Sequence, residues 1–136
     1  MIEKSFFPYG QANFESIRRD KQFFVDNTAY IKEFEETPFQ CFTRPPGWGK
    51  SLLTQILSTY YDKATTSEQW DTLFGGLDIH KNATKLRGHF QVLKLDFSEA
   101  ATGSVEDMTV LLTEHINAMC MGFGGKYGYT VSTDKM

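Results

Sequence analysis

The chain is organised around residues 39–53, which read FQCFTRPPGWGKSLL. The first five residues are mostly apolar and follow a proline, a pattern that predicts a short buried strand. A turn rich in proline and glycine comes next. Leucine, isoleucine and tyrosine then recur at helical spacing over residues 52–61. A strand, a tight turn and a helix in this order are the layout of a phosphate-binding P-loop.

The letters of the turn match most of the P-loop pattern, Gly-x-x-x-x-Gly-Lys-[Ser/Thr]. Gly49, Lys50 and Ser51 fit it, whereas Arg44 stands in the place of the first glycine. Lys50 would reach the β- and γ-phosphates of a nucleotide, and the Ser51 hydroxyl would bind Mg²⁺. The alternative is a glycine turn before a helix whose lysine and serine are solvated. The combination of strand, loop and helix favours the P-loop.

Composition sets broad limits on the kind of protein. The 136 residues are 40% hydrophobic and 15% aromatic, which is enough for the core of one domain. A formal net charge of -3 argues against a general nucleic-acid or membrane-surface binder. No apolar run approaches the roughly 20 residues of a membrane span, and the start lacks a secretory signal. We therefore expect an intracellular protein in which Cys41 and Cys120 are reduced, a disulfide between them being the less favoured alternative.

Helix start signals recur along the chain. Asn13 is predicted to cap a short helix, and Asn27 or Thr28 to cap a second one. Residues 66–69 and 104–107 have the character of capping boxes, so each predicts the start of a further helix.

The pattern of apolar residues predicts the structure of the segments between these signals. Residues 23–25 are apolar and are assigned to the core rather than to a ligand site, and the polar residues 78–88 to a loop. Residues 90–97 predict a second strand. An apolar stripe at helical period continues to about Met121. The glycine-rich residues 122–127 imitate a P-loop but end in tyrosine, so they are predicted to form a flexible C-terminal loop.

Several segments, taken in order, resemble the predicted AAA-ATPase-like family. That family typically shows Tyr-Gly, Asn-Phe and Ile-Arg pairs, then "YVDKT", "RPRRFGKSLL" and "PVxxLDFS". Here residues 9–18 contain the three pairs, residues 24–28 read FVDNT, residues 44–53 read RPPGWGKSLL, and residues 92–98 read VLKLDFS. Each segment is weak alone, but the order and spacing hold over residues 9–98.

The resemblance implies an α/β fold, the AAA-like three-layer α/β/α P-loop NTPase, in an incomplete form. This chain would supply the P-loop strand and helix and the second strand. It would divide into an aromatic and helical segment over residues 1–38, a P-loop core over residues 39–121 and a Gly-rich tail over residues 122–136. Because the two strands would not be neighbours, their edges would stay unpaired. The chain would then be a truncated portion that rearranges or borrows strands from a partner.

The resemblance also implies the ligand, ATP with Mg²⁺. The Arg-Pro start of the loop is a feature of the family, so Arg44 is not a damaged position. Two arginines of the family loop are replaced here by Pro46 and Gly47, and Asn27 replaces the lysine of "DKT", which removes positive charge. Ser51 would be the metal ligand. The nucleotide-binding residues would be Arg44, Gly47, Trp48, Gly49, Lys50, Ser51 and Leu52.

Hydrolysis needs a second carboxylate for Mg²⁺. In the family this carboxylate lies on an acidic strand, "LIDEYD", after the helix that here is expected to end near Met121, and only Asp134 is acidic beyond that point. Asp96 is expected to end the second strand and to shape a turn with Ser98. Hydrolysis by this chain alone is therefore not expected, and no catalytic residue is assigned.

Three functional hypotheses follow. The chain is an ATP-binding domain, a nucleotide-binding scaffold that does not hydrolyse, or an interaction domain whose P-loop is vestigial. The expected partners are a nucleotide and either further copies of the chain or a missing C-terminal region, with no membrane. Nucleic acid would enter only indirectly, through the nuclease-like region that full-length relatives often carry.

Overall fold

The computed structural model describes residues 6–8, 10–97 and 104–132, and it divides the chain into two compact units, Met1–Phe90 and Gln91–Met136. The predictions that concern the N-terminal start, Tyr9, Ser98 and Asp134 lie outside the described residues. No helix in the described part combines the length and the apolar character that crossing a membrane requires.

The first unit is built from short helices. Asn13 begins the first of them, since its Oδ1 accepts a hydrogen bond from the Ser16 N–H at 3.0 Å. Thr66 begins another with a complete capping box, as predicted. The predicted loop at residues 78–88 opens with a helical turn. A 3₁₀ turn over Thr28–Tyr30 leads into the second helix. The helices are α1 Phe14–Arg19, α2 Ile31–Phe34, α3 Lys50–Tyr61, α4 Ser67–Phe74 and α5 Asp78–Lys81.

The core of this unit lies where α1, α3 and α4 meet. Phe74 is completely buried, and its ring lies 4.7 Å from that of Trp70 and 5.2 Å from that of Phe14, measured between centroids. Aromatic side chains bury large apolar areas, so this cluster is the main hydrophobic contribution to the unit. Its buried members are Phe14, Ile31, Ile56, Tyr60, Trp70, Leu73, Phe74, Leu77 and Ile79.

The predicted α/β fold is wrong. Among the described residues there is no β-strand, and the sole β-type pairing there is an isolated parallel bridge between Asp62 and Phe90. Residues 39–43 are irregular and exposed, with Phe39 90% exposed. Residues 91–97 likewise pair with no strand in the part of the chain that the structure describes. A strand must pair its backbone groups with another segment, whereas a helix satisfies them internally. The described structure is therefore helical, without a sheet.

The second unit contains one long helix, α6 Val105–Tyr127. Ser104 caps it as predicted, because its Oγ accepts from the Asp107 N–H at 3.2 Å. The predicted end near Met121 is wrong, and so is the flexible loop predicted after it. The helix continues through three glycines to a left-handed Gly128 at φ 79°. Gly124 is needed there, because a Cβ at that position would lie 2.5 Å from Val131 Cγ2.

Candidate functional site

Residues 44–49, which we call the phosphate loop, form the turn that leads into α3. The Trp48 N–H donates to the Pro45 carbonyl at 3.3 Å, which closes a tight turn. Gly47 and Gly49 have φ angles of +80° and +77°. The left-handed region costs other residues roughly 1–2 kcal/mol, so both positions favour glycine. Gly49 occupies the N-cap position of α3.

The N-terminus of α3 follows directly from this turn. Its first helical hydrogen bond runs from the Leu53 N–H to the Gly49 carbonyl at 2.9 Å, and no side chain caps the helix. The N–H groups of Lys50, Ser51 and Leu52 therefore precede the intrahelical ladder. Converging N–H groups at the positive end of a helix dipole attract anions, phosphates among them.

Lys50 brings a positive charge to the same place. Its Nζ donates to the Arg44 carbonyl at 2.7 Å and to the Pro45 carbonyl at 3.0 Å, so the ammonium group lies across the phosphate loop. Arg44 turns its guanidinium over the Phe42 ring, 4.9 Å from the ring centroid. The loop thus holds its lysine against its own backbone carbonyls.

The other predicted site residues differ in their exposure. Trp48 is 69% exposed, Ser51 is exposed, and Leu52 is half-buried against the core. The fold brings Arg44, Trp48, Gly49 and Leu52 to one cleft, whose lining does not include Gly47, Lys50 or Ser51. No group of three or more His, Cys, Asp or Glu side chains suited to a metal is present in the described ranges.

The cleft has a volume of about 570 Å³ and adjoins the phosphate loop. Its lining includes two buried residues, Ile31 and Ile56, and two exposed ones, Tyr30 and Trp48. Its polar members are Asn27, Thr28, Glu33 and Arg44, and its remaining members are Phe24, Val25, Phe34, Phe42, Gly49, Leu52 and Leu53.

One wall of the cleft was not predicted from the sequence. The sequence predicts residues 23–25 in the core, and half-buried Phe24 does pack against it. Phe23, however, is 44% exposed and Val25 61% exposed, and both Phe24 and Val25 line the cleft. An apolar residue type alone does not distinguish a core position from a position in the wall of a cleft, because both kinds of position are apolar. The sequence signal that marks this wall is the FVDNT match at residues 24–28.

Asp26 anchors this wall to α5. Its Oδ1 accepts from the Thr28 N–H at 2.9 Å and from the Thr28 Oγ1–H at 2.6 Å, and its Oδ2 accepts from the Asp78 N–H at 2.7 Å. Burial raises the pKa of the Asp26 carboxyl, but these hydrogen bonds and the positive charge of Arg18 outweigh burial, so its pKa lies below the ordinary value. The FVDNT segment therefore has a structural role beside the cleft.

Replacing Asp26 with alanine should remove a stabilisation that depends on pH. Because the folded pKa is depressed, the stabilisation is present above the unfolded pKa of about 3.9 and is lost as the pH falls through the lower folded pKa. We expect a loss of about 1 kcal/mol at neutral pH, since the carboxylate is largely exposed and its hydrogen bonds are screened. Urea unfolding followed by circular dichroism between neutral and acid pH measures this loss.

The unfolding free energy of Asp26→Ala should converge with that of the wild type in acid, whereas that of the exposed control Glu36→Ala should match the wild type at every pH. A constant difference at every pH would contradict the assignment.

A family model described as "Predicted AAA-ATPase" matches residues 8–135. The matched range includes the phosphate loop and the cleft wall at residues 24–28, and it extends through most of the second unit. No curated protein and no solved structure gives a significant match to the chain.

Proposed function

The chain belongs to the family described as "Predicted AAA-ATPase", and from that premise we propose that it binds ATP with Mg²⁺. The phosphates bind at residues 44–52, and the base and ribose occupy the adjoining cleft. The observation that carries the proposal is the position of Lys50, whose Nζ lies 2.7 Å from the Arg44 carbonyl at the uncapped start of α3.

The phosphate end of the proposal rests on charge and on backbone donors. A triphosphate offers oxygens that the ammonium of Lys50 can bind in place of the two loop carbonyls. The N–H groups of Lys50, Ser51 and Leu52 can donate to the same oxygens, since they precede the first helical hydrogen bond of α3. A phosphate oxygen carries a full negative charge whereas a backbone carbonyl carries only a partial one, so the exchange of partners at the Lys50 ammonium favours the phosphate.

The base end of the proposal rests on the cleft. Small-molecule sites usually have volumes of about 300–1,000 Å³ and are mainly apolar with a few polar groups. The cleft, at about 570 Å³, agrees with that description. Tyr30, Phe34 and Trp48 can contact the flat face of a base, while Asn27 and Glu33 can form hydrogen bonds at its edge. The preference for ATP over GTP comes from the family resemblance.

Mg²⁺ would be held by the Ser51 hydroxyl together with phosphate oxygens and water, a donor set that suits this hard cation. The ion would neutralise charge on the phosphates. We propose binding without hydrolysis, because hydrolysis needs a further carboxylate beside the metal ion. Among the described residues that line the cleft, Glu33 is the one acidic residue, and the proposal places it at the edge of the base.

Lys50→Ala should weaken binding of a fluorescent ATP analogue, in the presence of Mg²⁺, by about ten- to a hundredfold. The lost charge-assisted hydrogen bonds are typically worth about 1.5–3 kcal/mol. Fluorescence anisotropy of the full chain measures the affinity, and circular dichroism checks that the variant is folded. Lys85→Ala removes an equal charge from an exposed position of the same unit and should leave the affinity unchanged. Equal binding by the wild type and Lys50→Ala would exclude the phosphate loop as the site. It would favour an interaction domain with a vestigial P-loop.

A further inference from the structure

The second unit exposes most of its apolar side chains. Among its described residues, 91–97 and 104–132, Gly124 is the one that is buried. Leu93, Leu95 and Phe97 are 44%, 42% and 52% exposed. The second unit consists of one helix and one apolar segment, and no described side chain is buried where they meet. Little therefore stabilises this unit, so we expect a further surface to cover its apolar side chains.

Two contacts indicate that the segment at residues 91–97 runs antiparallel to α6, with a spacing that fits an extended chain. The Val92 N–H donates to Tyr127 Oη at 2.9 Å, and the Asp96 N–H lies 3.4 Å from Met119 Sδ. Four steps along the segment thus match eight steps back along the helix. Eight helical residues rise about 12 Å, and four extended residues span about 13 Å.

This geometry leaves one backbone edge of the segment facing away from the helix. In an extended chain successive N–H groups point to opposite sides. Because the N–H groups of residues 92 and 96 point to α6, those of residues 93, 95 and 97 point the other way. An edge of this kind is a template for pairing with another extended segment. The side chains of residues 93, 95 and 97 share one face, and that face is apolar.

We propose that residues 91–97 pair antiparallel with the same residues of a second copy of this chain, about a two-fold axis at Leu95. In that register Leu95 lies opposite Leu95 of the second copy, and Leu93 lies opposite Phe97. Lys94 lies opposite Asp96, twice by symmetry, so the exposed charges are complementary. A parallel, in-register pairing would set lysine against lysine, so the charges favour the antiparallel arrangement.

The edge and the charge pattern agree with each other. In an antiparallel pair, residues that exchange backbone hydrogen bonds alternate with residues that do not. The outward N–H groups of residues 93, 95 and 97 make these the hydrogen-bonded positions. Lys94 and Asp96 then occupy the positions between, where facing side chains come closest. The proposal concerns the second unit and does not depend on nucleotide binding.

Charge exchange tests the register. Sedimentation velocity of the full chain over a concentration series should show self-association of the 15.6 kDa chain into a dimer. Lys94→Asp and Asp96→Lys, made singly, should each weaken the dimer by about tenfold, because each sets like charges opposite one another twice. The double variant Lys94→Asp/Asp96→Lys should restore it. Lys85→Asp, with the same change in net charge at an exposed position of the first unit, should leave self-association unchanged.

The outcomes separate the proposal from its rivals. A wild-type chain that stays monomeric throughout overturns it, and so does a dimer that every variant keeps, since another surface would then be responsible. Loss in both single variants without rescue in the double variant overturns the antiparallel register. Circular dichroism of each variant reports whether α6 is retained.

Cross-linking gives a second test that does not rely on weakened variants. In a background of Cys41→Ser and Cys120→Ser, Leu95→Cys should form an intermolecular disulfide on mild oxidation, because residue 95 faces itself. Lys94→Cys should not, because it faces residue 96 of the second copy and its own equivalent lies beyond disulfide reach. Equal cross-linking at both positions would overturn the proposed axis.

Discussion

Replacing Phe74 with alanine is expected to lower the free energy of unfolding of the first unit by about 3–5 kcal/mol. Phe74 is fully buried, and its ring contacts those of Phe14, Tyr60 and Trp70 at centroid distances of 5.2, 6.0 and 4.7 Å. The substitution removes the side chain to which three aromatic neighbours are packed, and these neighbours come from three different helices. A cavity there cannot close without moving α1, α3 and α4 together.

Thermal and urea unfolding, followed by far-UV circular dichroism and tryptophan fluorescence, measure the effect of Phe74→Ala. A loss of this size is a large part of the total stability of a small domain, so partial unfolding at room temperature is within the expected result. Phe39→Ala is the matched control. Phe39 is 90% exposed, and surface substitutions usually change stability by less than about 0.5 kcal/mol. A similar loss in both variants would show that the core is not where the structure has it.

Arg18→Ala is expected to cost about 2–3 kcal/mol of unfolding free energy. The Arg18 Nε donates to the Leu73 carbonyl at 2.7 Å, and its Nη2 donates to the Gly75 carbonyl at 2.6 Å. Both carbonyls lie at the C-terminal end of α4, where the helix itself provides no donor. Burial lowers the pKa of the Arg18 guanidinium, and the charge of Asp26 partly offsets this. The side chain is thus a half-buried cation that joins α1 to α4.

The neighbouring arginine is the control for Arg18→Ala. Arg19 forms an ion pair with Glu15 at 2.7 Å, but its side chain is 58% exposed and that of Glu15 51% exposed, so Arg19→Ala should cost no more than about 0.5 kcal/mol. Arg18→Lys should give an intermediate loss, because one ammonium group does not reproduce the planar fork that reaches both carbonyls. Chemical unfolding of the three variants measures the order. Equal losses from Arg18→Ala and Arg19→Ala would contradict the assigned role.

The parts of the fold that sequence reasoning predicted correctly depend on short-range chemistry. Asn13, Thr66 and Ser104 were identified as helix starts, and each accepts a hydrogen bond from an N–H three residues later. The capping side chain and the N–H that donates to it lie within one turn of the chain, so the local sequence is sufficient. The predicted end of α6 was wrong because it depends on a contact beyond the helix itself. Glycine is a weak helix former, but Gly124 lies in the helix where the chain at Tyr129 and Val131 passes close to it.

The two strand predictions were wrong because the pairing of one strand with another is not a local property of the sequence. Residues 39–43 and 90–97 have strand-like letters, yet among the described residues neither has a neighbouring strand, and both are largely exposed. For the candidate site, the turn at residues 44–49 was predicted from its proline and glycine residues, and the left-handed conformations of Gly47 and Gly49 agree with a turn. Phosphate binding there stays a prediction. The wall at residues 24–28 was not predicted, since it lies beside residues 44–49 in the folded chain but apart from them in sequence.

The sequence by itself determined the helix starts at Asn13, Thr66 and Ser104, the turn of residues 44–49 and the family, because each depends on neighbouring residues or on ordered motifs. The tertiary structure alone decided that Phe24 and Val25 face a cleft, that Asp26 anchors the cleft wall to α5, and that the N–H groups of Val92 and Asp96 face α6. These features come from contacts between segments far apart in the chain. Such contacts depend on how apolar faces pack and on which backbone groups find partners, and no local pattern of letters encodes them.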